Sequence, residues 1–87
     1  MTITIINMAY RVFFTYKKHI SETDHSVVKI CKEHIDINYR RLESTLMCDN
    51  DVLKFAHEKV DRHLCYLDNT ITFIQYLGCT KEEYELA

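Results

Sequence analysis

In the C-terminal half of the chain, apolar residues recur at steps of three and four: Leu53, Ala56, Val60, Leu64, Leu67, Ile71 and Ile74. That spacing predicts a single apolar stripe on a long helix from about 51 to 77. Asn50 stands at its start as an N-cap candidate. Gly78, the only glycine, lies just past Leu77, where a left-handed residue ends a helix. Thr80-Lys81-Glu82-Glu83 then has the form of a capping box and predicts a last short helix from about 81 to 86.

A second stripe joins Val28, Cys31, Ile35, Tyr39, Leu42 and Leu46, with Val27 beside it, and predicts a helix over 24–46. Ser21, Glu22, Thr23 and Asp24 supply N-cap candidates before it. Two helices of similar length with a short connection pack as antiparallel neighbours. The first twenty residues read two ways. Thr2–Ile6 and Tyr10–Tyr16 are rich in β-branched and aromatic residues, yet Ala9, Val12, Phe13, Tyr16 and Ile20 also fit a helical stripe. A two-stranded sheet alone is marginal, whereas a third helix from about 8 to 20 would cover the hairpin groove. The expected fold is therefore mainly α: a helical hairpin, an N-terminal third helix and a short C-terminal helix. The alternative is α+β with an N-terminal β-hairpin. Residues 1–7 read as a flexible extension of a single domain.

Composition narrows the function. One glycine and no proline in 87 residues disfavour turn-rich β folds, P-loops and dinucleotide folds. Hydrophobic residues at 47% exclude a disordered chain, and a net charge of −2 argues against general nucleic-acid binding. The N-terminus has no basic segment or small-residue cleavage site. Cys31, Cys48, Cys65 and Cys79 are accordingly expected as reduced thiols of a cytoplasmic protein. The apolar run 3–14 is interrupted by Asn7 and Arg11 and falls short of the ~20 residues of a spanning helix, so no membrane partner is expected.

Three constellations bear on chemistry. In the expected hairpin, facing positions sum to roughly 97, which brings Cys31 and His34 toward His63 as thiolate and imidazole ligands for zinc. No fourth ligand shares that face and paired ligand spacings are missing, so no cofactor is expected. Cys31 with His34 as nucleophile and base lacks an orienting group and a cleft, so no enzyme is expected. Lys29, Lys32, Arg40 and Arg41 offer an anion-binding face. However, Lys32, Asp36 and Arg40, like Lys54, Glu58 and Arg62, have the spacing of mixed-sign ion pairs on a solvated helix.

Aromatic surface remains. Tyr66, Phe73 and Tyr76 fall partly off the main stripe and mark a contact surface for a partner or a second copy. The sequence thus reads as a small non-enzymatic interaction protein, homo-oligomeric, that binds and modulates or inhibits another protein. The alternative is a module for a small anionic ligand or nucleic acid. Richness in Ile, Asn, Lys and Tyr matches an A+T-rich genome, which suits a phage-encoded inhibitor.

Overall fold

The computed structural model describes residues 1–19, 27–45 and 48–86. Four elements follow in order: β1 (Thr2–His19), β2 (Val28–Leu42), α1 (Asp49–His63) and β3 (Asn69–Glu85). The strands form one antiparallel sheet in the order β2-β1-β3, with β1 in the centre. Both outer strands run antiparallel to β1 and hence parallel to each other. Parallel strands need a crossover, and α1 is that crossover, laid on one face of the sheet.

The expected helical bundle is corrected on every segment. Residues 8–20 were expected as helix, but β1 runs unbroken from Thr2 to His19, taking in the supposed loose extension and both apolar runs. The 24–46 segment contains β2 instead of a helix. The 51–77 segment is split into α1 and the first half of β3, and the supposed C-terminal helix is the end of β3. The expected caps at Ser21–Asp24, together with Ile20 and Leu46 of the expected stripes, lie outside the described residues.

β1 suits the centre because it is rich in β-branched and aromatic residues and receives hydrogen bonds from both sides. Its even-numbered residues face the helix: Ile6, Tyr10, Val12 and Phe14 are buried, and Met8 and Tyr16 pack at their margin. From β2, Ile37 is buried beside Ile35 and Tyr39; from β3, Ile71 and Ile74 close the flank. Onto this layer α1 sets Val52, Ala56 and Val60, with Leu64 at its C-cap, a strict step of four along one helix face. Leu53, expected on that face, is exposed and its neighbour Val52 takes the buried place.

The helix starts after Cys48, whose backbone N–H donates to the Asp51 carboxylate at 3.2 Å. It ends in a Schellman turn: Tyr66 N–H donates to Asp61 C=O at 2.7 Å and Cys65 N–H to Arg62 C=O at 3.3 Å. Cys65 and Tyr66 carry the positive φ values of this turn, 52° and 65°. Glycine usually fills such a place, so the sequence carries no conventional stop signal there.

β3 contains two bulges. Phe13 pairs with Phe73 but Phe14 with Ile71, leaving Thr72 over. Ala9 pairs with Gly78 but Tyr10 with Tyr76, leaving Leu77 over. Thr72 Oγ1 donates to Phe13 C=O at 3.2 Å, supplying a donor where the ladder is interrupted. At the second bulge Gly78 takes φ +131°, open to glycine and strained for other residues. The first bulge puts two inward residues, Ile71 and Ile74, three apart, which is why this strand carries a helix-like spacing.

The molecule measures 63 × 22 × 18 Å. A helix of 15 residues spans about 22 Å and a strand of 18 about 60 Å, so α1 covers little more than a third of the sheet's length. Stability therefore rests on one small core. Leu64→Ala should cost ~2–5 kcal/mol in a urea titration. Leu67→Ala, at a side chain 51% exposed beyond the helix, should shift the midpoint by less than ~0.5 kcal/mol. Equal losses at both would mean that the stripe continues past the Schellman turn.

Candidate functional site: the open sheet face

The odd-numbered residues of β1 point away from α1. No described element covers this face. Its composition follows from strand register. Phe13 sits opposite His34 on β2 and Phe73 on β3, and the three rings form a row across the sheet, with centroids 5.5 and 6.1 Å apart. Phe73 is 60% exposed, so the row ends in an accessible aromatic.

Next to the row lies a bidentate ion pair. Arg11 Nε donates to Asp36 Oδ1 at 2.8 Å, and Nη2 to Oδ2 at 3.1 Å. These hydrogen bonds hold the Asp36 carboxyl below its ordinary range and raise the guanidinium further. Farther along, Glu82 gathers three donors: Tyr84 OH at 2.7 Å, Asn7 Nδ2 at 2.9 Å and Arg40 Nη2 at 3.2 Å. The Tyr84 hydroxyl is the largest influence lowering Glu82, with Asn7 and Arg40 adding to it. In return the carboxylate raises the Tyr84 phenol. The face thus sets aromatic surface beside two matched ion pairs, with Lys32 opposite Thr15 as a further cation.

The register separates residues that a helix would have grouped. Cys31 pairs with Tyr16 on the helix side of the sheet, while His34 pairs with Phe13 on the open side. His63, at the end of α1, sets its ring edge-on against Phe14 at 6.0 Å. Cys31, His34 and His63 therefore do not converge. Among the described residues no cluster of three His, Cys, Asp or Glu is placed to hold a metal. The basic quartet divides likewise: Lys32 and Arg40 lie on the open face, Lys29 and Arg41 on the other. Arg41 is drawn into the chain turn after β2, its Nη1 donating to Thr45 C=O at 2.8 Å.

The three aromatic candidates also part. Phe73 belongs to the open face. Tyr76, on the opposite side of β3, packs edge-on against Tyr10 at 5.4 Å, and Tyr66 stands in the Schellman turn, 75% exposed. The phenol of Tyr76 is raised, first by its hydrogen bond to Cys79. Tyr16 is pushed up to about 12, chiefly by hydrogen bonding to Glu33 beside it. Phe13, Arg11 and Asp36 escaped sequence reading. For Arg11 and Asp36 the signal was the alternation Tyr10-Arg11-Val12 against Ile35-Asp36-Ile37, legible once both are strands; Phe13 lies in the apolar run Val12-Phe13-Phe14, which does not alternate. None of the four cysteines is bonded to another. No described helix is long and apolar enough to cross a membrane. No family model, no curated protein and no solved structure matches this chain.

The lowered carboxyls of Asp36 and Glu82 link this face to pH. Both folded values lie below the ordinary 3.8 and 4.5, so their stabilising effect is complete above those values and disappears as pH falls through the folded ones. The urea midpoint should be flat above about pH 6 and fall toward about pH 3. An Asp36→Asn, Glu82→Gln variant should show a shallower fall. An identical slope in that variant would place the acid sensitivity elsewhere.

Proposed function

We propose that this chain is a non-enzymatic cytoplasmic protein-binding module that docks a partner protein on its open sheet face and modulates it. The observation that carries this reading is the row His34–Phe13–Phe73, covered by no described element, with the matched pair Arg11–Asp36 beside it and Arg40–Glu82 farther along the same face. Aromatic side chains framed by polar groups that already satisfy one another suit a protein surface: the rings supply contact area and the pairs need no counter-charge from the partner.

Polyanion binding needs cations whose charge is available to phosphates. On this face both arginines, Arg11 and Arg40, are engaged by carboxylates, and Lys32, which is not so engaged among the described residues, is by itself too little charge for a polyanion, which favours a protein partner over nucleic acid. The register, which puts Cys31 and His34 on opposite sides of the sheet, supports a reading without a Cys31–His34 catalytic pair.

A photoreactive amino acid placed at Phe73 tests this in the native cell, with the same group at Lys54, exposed on α1, as control. Position 73 should give one discrete protein adduct, competed by excess wild-type chain and not by excess Phe73→Lys chain. Equal labelling from Lys54, or an adduct destroyed by nuclease, would contradict the proposal.

A further inference from the structure

The two edges of the sheet are not equivalent. β3 is interrupted by bulges at Thr72 and Leu77, which break the even row of backbone groups that another strand needs. β2 pairs with β1 from Val28 to Leu42 without a register shift, and among the described residues its far edge has no strand beside it. Such an edge is a template for strand addition. The groove between Tyr39 and the Phe55–Lys59 side of α1 opens beside it.

We infer that β2 pairs antiparallel with β2 of a second copy about a twofold axis at Ile37, giving a six-stranded sheet with both helices on one face. The register follows from the order of charges along β2. With Ile37 opposite its own copy, Ile35 meets Tyr39 of the second chain and extends the apolar layer beneath the helices. On the same side, Glu33 comes opposite Arg41 twice, once at each end of the seam; within its own chain Arg41 donates through Nη1, to Leu42 C=O and Thr45 C=O, and Nη2 is the group left for the seam carboxylate. On the open side Asp36 meets Asn38 and His34 meets Arg40, so no carboxylate faces a carboxylate and no two Lys or Arg face each other. Centring the axis on Ile35 instead places Lys29 against Arg41 twice and Glu33 against Ile37. An axis at Asp36 sets that carboxylate against its own copy and Lys32 against Arg40, and one at Asn38 sets Glu33 against Glu43, so charge complementarity selects the Ile37 axis over its neighbours, since opposite charges directly across a ladder stabilise and like charges destabilise. The pairing is isologous, as a closed dimer requires, and it joins two open faces into one platform.

Sedimentation equilibrium on the full chain, with two charge variants and their combination, tests this. Wild type should be dimeric at tens of micromolar. Glu33→Arg and Arg41→Glu should each weaken association on the order of tenfold, because each replaces two matched pairs by two repulsive ones. The double variant, with the pairs restored in reversed sense, should return to near wild-type association. That recovery also distinguishes a seam contact from simple loss of fold in the single variants. A monomeric wild type, or a dimer whose association ignores the single changes, overturns the inference, as does a double variant that is worse than either. Labelling from Phe73 is independent of this outcome, so failure of the dimer and failure of the docking reading are separately visible.

Discussion

Everything in this structure depends on the contact between the Val52–Ala56–Val60–Leu64 face of the helix and the Tyr10, Val12 and Phe14 layer of the central strand. Three strands in isolation gain little from pairing unless one face is taken out of water. Burying a large apolar side chain contributes on the order of 1.5–3 kcal/mol, and most of the fully enclosed side chains lie at this contact. The contact also fixes register: a one-residue slip of β1 would carry Phe13 inward and expose Val12 and Phe14. The open face is therefore a consequence of the closed one. Once even-numbered positions are seated under α1, Arg11 and Phe13 must point outward, and their cross-strand partners Asp36, His34 and Phe73 with them.

The sequence carried much of this in a form that two periodicities share. Cys31, Ile35 and Tyr39 are four apart, and a step of four returns to the same face of a helix and to the same face of a strand. Ile37 breaks the tie, because Ile35-Asp36-Ile37-Asn38-Tyr39 alternates strictly, and Ile37 is the residue of β2 that is buried. In β3 the ambiguity is structural. The first bulge spaces Ile71 and Ile74 by three and continues the stripe of a real helix that ends at His63. The stop itself is a Schellman turn built on Cys65 and Tyr66 where a glycine would have announced it. What was legible was composition: Thr70-Ile71-Thr72-Phe73-Ile74 is strand material, as is most of residues 2–16. The objection that two strands cannot stand alone failed because residues 2–16 belong to one strand, whose two partners were hidden in the two supposed helices.

The candidate site depended on the same distinction. Cys31 and His34, three apart, are neighbours on a helix and opposites on a strand, so the change of element separates the pair from which both readings started. The acid–base spacing Lys32–Asp36–Arg40 changes meaning in the same way. Asp36 instead finds Arg11 on the neighbouring strand, and Arg40 reaches across β1 to Glu82. Asp36 and Arg40 thus each have an opposite charge beside them, but it comes from elsewhere in the chain, and Lys32 has none among the described residues.

Nuclear Overhauser spectroscopy of the isotopically labelled chain addresses the central claim, that β1 lies between two strands with one face under the helix. Val12 methyl protons should show contacts to both Val60 and Ile74, and the Phe13 ring should show contacts to Phe73 and His34 with none to the helix. An unbroken run of strong sequential amide–amide contacts from 51 through 77, with none between β1 and residues 71–74, would contradict it.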